Sequence, residues 1–205
     1  APIALTVAAD ASLRDRLASL SPLERDVQST GIGFPQMPGV SALPAETTQV
    51  WGTFDTALEN VRRSADAPVP ELLATARAVA LAGEYPLIGG TGQQEVVLAS
   101  DAAYESEVSL VEGRLPDPAG EIVVGEVDTG EVELVLSEQT AYELGWAVGE
   151  TRELVTPRMR LTLLLTGVFT PKDLQADYWQ HVPSVLTPNI FDDGNRARRV
   201  TGTGF

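Results

Sequence analysis

Cysteine is absent from this chain, so disulfides and thiolate zinc sites are excluded. Histidine occurs once, at His181. A serine hydrolase would therefore have one candidate base, and no Gly-x-Ser-x-Gly elbow accompanies it. His181 lies in Tyr178-Trp179-Gln180-His181-Val182-Pro183 and reads as an ordinary surface or hydrogen-bonded side chain. Long apolar runs are missing too. Leu161 to Phe169 is the longest compact one; it is too short to span a bilayer and is broken by threonine and glycine. No signal-peptide pattern opens the chain, and Ala1 and the ending Gly202-Thr203-Gly204-Phe205 lead to the expectation of a fragment of a longer protein. Basic residues are scarce, 14 Lys and Arg against 29 Asp and Glu, which gives a formal net charge of -15. Such a surface repels nucleic acid and anionic headgroups, and its simplest role is to keep an exposed domain soluble.

With 205 residues, 43% of them hydrophobic and 21% charged, the chain is long enough and apolar enough to bury a core. Its acidity is uneven. Asp117 to Glu153 holds ten acidic side chains and one basic one, Arg152, whereas six Lys or Arg face four Asp from Arg158 onward. A solvated acidic face is the expected reading, ahead of a cation-attracting one.

Periodicity predicts helices over Asp10–Leu20, from Leu13, Leu17 and Leu20, and over Glu46–Ala65, from Val50, Phe54, Leu58 and Val61. Ser21-Pro22 should end the first, with a strand over Leu23–Thr30 and a loop over Gly31–Pro44. A helical turn is expected at Glu71–Thr75 and a strand at Arg77–Ala82. Gly89-Gly90-Thr91-Gly92 should be a tight turn into a strand over Glu95–Ala99; it precedes a strand and lacks the lysine of a phosphate loop. Ala102–Val111 reads as a helix closed by Gly113. Strands over Glu121–Gly125 and Glu131–Leu136 should be joined by a hairpin turn at Asp128-Thr129-Gly130. Ser137 can cap a helix over Glu138–Leu144 that Gly145 ends. Ala147–Gly149 is a turn, and Glu150–Val155 and Met159–Phe169 are strands. The chain then becomes irregular, with Tyr178-Trp179 as anchor.

Helices alternating with strands give the class α+β. Residues 1–111 read as helix and strand units of a first lobe, 112–170 as a mostly β segment with one short helix, and 171–205 as an irregular tail returning to the first lobe. No catalytic constellation emerges. Carboxylates are too abundant for any glycosidase pair to stand out. Asp192-Asp193-Gly194-Asn195 lacks the alternating ligands and closing glutamate of a calcium loop, so a polar turn is the better reading. Neither a metal, a cofactor nor a catalytic residue is expected. Trp146, Tyr178 and Trp179 are the candidate contact residues, because both tryptophans lie near turns, although packing is the commoner role of such side chains.

Gly113-Arg114-x-Pro116, Gly120-Glu121-Ile122-Val123-Val124, Leu136-Ser137-Glu138, Ala141, Leu144-Gly145, Val148-Gly149-Glu150-Thr151 and Thr166-Gly167-Val168-Phe169 form the most specific pattern in the chain. It resembles the MacB-like periplasmic core domain of FtsX/LolC/MacB-type ABC transporter permeases. The opening Asp10-Ala11-Ser12-Leu13-Arg14-Asp15-Arg16-Leu17 is similar to the segment after the first membrane helix in actinobacterial members. The acidic stretch around Asp128-Thr129-Gly130 departs from the pattern. The resemblance implies a βαβ-containing lobe plus a mostly β lobe at the extracytoplasmic face of the membrane. It also implies a non-enzymatic part of an integral membrane protein, coupled by rigid-body movement to a cytoplasmic ATPase subunit. A lipoprotein, a peptide or a cell-wall enzyme would be the outside partner. A secreted or cell-wall binding module without a transporter, and a carboxylate-dependent hydrolase, are the rival readings.

Overall fold

One long strand organises the molecule. In the computed structural model, which describes residues 11–26, 63, 79–90, 92–101, 104–117, 123 and 126–205, Met159–Pro171 is paired along both edges. We number the strands in chain order: β1 Ala80–Ile88, β2 Gln93–Ser100, β3 Val108–Gly113, β4 Asp128–Ser137, β5 Thr151–Val155, β6 Met159–Pro171, β7 Asn189–Phe191 and β8 Arg199–Gly204. β4 runs parallel to β6 from Asp128↔Met159 to Ser137↔Phe169. β5 pairs antiparallel with the first half of β6 and β3 with the second half. β5 also pairs with β1, β1 with β2, β2 in parallel with β8, and β8 with the short β7.

The two ends of this curled sheet meet. Val135 N donates to Phe205 O at 2.7 Å and Phe205 N to Val135 O at 3.2 Å, the reciprocal exchange of an antiparallel pair. Phe205 directly follows β8, so β4, β6, β5, β1, β2 and β8 close into a ring. Every strand of that ring contributes to one apolar core: Leu87, Val96, Leu134, Leu136, Leu154, Leu161, Leu163, Leu165 and Val200 all belong to it.

A bulge lets β6 serve two cores. Leu134 pairs with Leu165 and Val135 with Gly167, so Thr166 is an extra residue, and its hydroxyl donates to Leu134 O at 3.2 Å. The side-chain phase shifts by one. Leu161, Leu163, Leu165 and then Val168 enter the ring, while Phe169 turns to a second cluster with Tyr104, Val108, Val135, Tyr178, Trp179, Val182, Val185 and Phe205.

The helices are α1 at 11–18, α2 Pro22–Arg25, α3 Glu138–Leu144, α4 Asp177–His181 and α5 Pro183–Leu186, and Arg63 is also helical. α3 forms as its letters predict. Ser137 Oγ accepts from Thr140 N at 3.1 Å, and Gly145 takes the left-handed conformation at φ 55 and ψ 47. Ala141 and Leu144 of α3 reach the ring core. α1 likewise follows its leucine spacing.

Other expectations fail for identifiable reasons. Leu23 to Arg25 are helical, not strand, because Pro22 presets the first turn and Glu24 accepts from the Ser21 N–H at 3.1 Å and its hydroxyl at 2.8 Å. The helix expected over Ala102–Val111 is a 3₁₀ turn, Tyr104–Ser106, followed by β3. Pairing with Gly167–Pro171 decides that segment, and Gly113 keeps its positive φ as the end of a strand. Asp128-Thr129-Gly130 is not a turn. It is the start of β4, with Gly130 free of positive φ, and Val123 bridges Thr129 from upstream. The irregular tail holds α4, α5, β7 and β8. Four expectations lie outside the described residues: the later part of the strand over Leu23–Thr30, the loop over Gly31–Pro44, the helix over Glu46–Ala65 apart from helical Arg63, and the turn at Glu71–Thr75. So does the strand over Glu121–Gly125, apart from Val123.

β8 is built for close approach. A Cβ on Gly202 would lie 2.5 Å from Thr140 Cγ2 and one on Gly204 2.9 Å from Leu136 Cδ2. Gly202→Ala should therefore cost about 1–3 kcal/mol in urea unfolding. Gly83→Ala, whose Cβ would come no nearer than 3.8 Å to Tyr85, should change stability little.

Candidate functional site

The three aromatic residues singled out by sequence fall in two places. Trp146 (2% exposed) belongs to the ring core; Tyr178 (9%) and Trp179 (3%) belong to the second cluster. All three are buried among apolar neighbours.

Trp146 follows the end of α3, and its position is set by polar groups. Its Nε1 donates to Glu150 O at 3.0 Å. The Arg152 guanidinium lies over its ring at 4.7 Å, a cation–π arrangement. Arg152 itself is 5% exposed. Its Nη2 donates to Leu144 O at 2.9 Å and Gly145 O at 2.8 Å, and its Nη1 to Gln94 Oε1. Gln94 Nε2 donates to the same Leu144 O at 2.8 Å. A cation therefore caps the carboxyl end of α3, where the helix dipole favours positive charge. Burial pulls the Arg152 pKa down from its ordinary value, and the Glu150 carboxylate opposes the shift. The sequence signal was present in the lone basic residue of the acidic stretch, but spacing could not disclose that a strand would bury it.

The second cluster is an aromatic stack. Tyr104 and Phe205 lie 4.5 Å apart, Phe169 and Trp179 6.3 Å, and Tyr178 meets Trp179 edge-on at 4.7 Å. Burial, with Glu105 nearby, pushes the Tyr104 hydroxyl up to about 12. Trp179 Nε1 is buried with no hydrogen-bond partner among the described residues.

His181 ends α4 and faces α2. Its Nε2 lies 2.9 Å from Asp26 Oδ2. Arg25 pairs with Asp177 and, at 3.1 Å, with Asp26. Sequence reasoning missed this group, since the partners are some 150 positions apart in the chain. Asp192 and Asp193 accept from the amides of Gly194, Asn195 and Arg196 at 2.9–3.0 Å, which is a polar turn. Among the described residues, no cluster of three or more His, Asp or Glu could hold a metal ion. A shallow apolar cleft of about 340 Å³ opens between Val127, Thr129, Val155, Thr156 and Arg160. No helix among the described residues is long and apolar enough to cross a membrane.

No protein-family model matches the chain, and no curated protein sequence does.

Two outcomes test this chemistry. Arg152→Met removes a donor from three carbonyl oxygens, of which Leu144 O keeps Gln94 Nε2, and should cost roughly 3 kcal/mol by denaturant titration. Arg152→Lys should recover only part of that, because an ammonium cannot reproduce the planar fork. For Asp26, the hydrogen bond from His181, and secondarily Arg25, holds the carboxyl below 3.8. A carboxyl with a lowered folded pKa stabilises above its ordinary value, and the gain is lost as pH falls through the lowered one. A carbon-13 titration should place the Asp26 midpoint below 3.8, and His181→Phe should move it back up.

Proposed function

We propose that this chain is the extracytoplasmic domain of an ABC transporter permease of the FtsX/LolC/MacB type. In it, contact with a substrate or partner outside the membrane is passed to a cytoplasmic ATPase subunit. The domain performs no reaction of its own. It acts as a rigid body, with residues 112–170 as its mostly β lobe and a βαβ-containing lobe beside it. A lipoprotein, a peptide or a cell-wall enzyme is the class of partner it meets.

One observation carries this conclusion. Those residues of the sequence resemblance that are described lie at turns and strand ends of the ring and of β3 beside it. Ser137 and Gly145 bracket α3, Gly149 N donates to Leu165 O at 2.8 Å, and Arg114 N donates to Thr166 O at 2.9 Å as β3 leaves β6. Gly113 and Gly167 sit opposite each other where a Cβ on either would strike backbone, at 2.1 Å from Thr166 O and 2.5 Å from Arg114 O. A pattern fixed by backbone geometry marks an architecture rather than a reaction, as expected of a coupling domain. The stiff core suits that role, since displacement is transmitted by packed elements that do not deform. Partner contact falls to exposed surface, with Trp146, Tyr178 and Trp179 stiffening the wall behind it.

Topology of the parent protein tests the proposal. Ser100, exposed at the end of β2, becomes the one thiol of this 205-residue chain when replaced by cysteine. Intact cells should yield Ser100→Cys in the membrane fraction, labelled by an impermeant maleimide. A protein released in soluble form would overturn the permease reading in favour of a secreted binding module.

A further inference from the structure

Residues 11–26 touch the rest of the molecule in an unusual way. They carry leucines at helical spacing, yet Leu13, Leu20 and Leu23 are all exposed, and Pro22 is the sole buried residue of the segment. Among the described residues, apolar burial in this segment is confined to Pro22 and, in part, Leu17. Among the described residues, its contact with the rest of the molecule is α2 and its C-terminal Asp26 against α4, and that contact is rich in charge. Arg25 bonds Asp177, and Asp26 bonds both Arg25 and His181. The charged groups at this contact are Glu24, Arg25 and Asp26 from α2 and Asp177 and His181 from α4. Glu24 is engaged with Ser21, and α5, packed on α4, carries no charged side chain.

We propose that residues 11–26 are a releasable arm, docked on α4 by a clasp of Arg25 and Asp26 against Asp177 and His181, and that ionic strength opens it. All four side chains are partly open to solvent, between 28% and 58% exposed. Such pairs are individually weak and fade in salt, because screening acts fully on groups that water reaches. The contact between His181 and Asp26 is an ion pair only when the imidazole is protonated. Opening the clasp frees α1 and α2 with their leucines without disturbing either core, since no side chain of the arm belongs to one. The inference stands on this contact alone and is independent of the permease reading.

The full chain lacks cysteine, so Leu13→Cys with Tyr142→Cys provides a clean pair for nitroxide labels, one on α1 and one on exposed α3. Double electron–electron resonance should give one narrow distance at low salt. The distribution should broaden severalfold near 1 M salt, where screening reaches about 3 Å. Arg25→Glu should broaden it even at low salt, and Arg25→Glu with Asp177→Arg should narrow it again. Circular dichroism should remain unchanged throughout. A distribution that stays narrow in salt and in Arg25→Glu, or one already broad in the parent pair at low salt, would overturn the clasp.

Discussion

Everything in this molecule depends on how closely β8 can lie against β4 and α3. Gly202 and Gly204 offer no Cβ on the face that meets Thr140, Leu144, Leu134 and Leu136. With the surface this flat, Phe205 reaches Val135 and the two exchange backbone hydrogen bonds. That exchange turns a curled sheet into a ring. β7 already covers Arg199–Thr201 of β8, and the exchange between Val135 and Phe205 satisfies backbone groups where β7 no longer reaches. The core then fills from all six strands.

Local chemistry was legible and long-range pairing was not. The helix Glu138–Leu144 could be read because its start and stop are set by its own neighbours, Ser137 and Gly145. β6 could be read because leucines and threonines recur along it. The α+β class followed from the alternation. β3 was misread because Val108, Leu110 and Val111 suit either period, and the strand that decides between them lies some 60 residues downstream. β8 was missed because glycine weakens a strand everywhere except where another element must approach closely, and that partner cannot be seen in the letters. The tryptophans were flagged for their nearness to turns. A turn beside a strand ring, however, places its aromatic inside as readily as outside, and Trp146 went inside.

Charge is handled in two ways. Most acidic side chains among the described residues face water, where they cost little. Arg152 is the opposite case, a cation taken into the wall of the ring and satisfied by carbonyl oxygens, an amide and an indole face. No carboxylate among the described residues forms a salt bridge with it, so its stabilisation comes from dipoles fixed by α3. This ties helix and strand together at the point where the chain turns from Gly145 into β5. The polar contact between α2 and α4 lies outside the cores and near solvent, so the two electrostatic features differ in kind.

The bulge at Thr166 has a consequence for how the protein comes apart. Because β6 and β4 each send alternate side chains into both apolar clusters, neither cluster has a wall of its own. Losing the aromatic stack would strip one face from the same two strands that line the ring, and losing the ring would leave Phe169 and Val135 without a backbone to hold them. The ring and its aromatic flank are thus a single cooperative unit, one foldon rather than two.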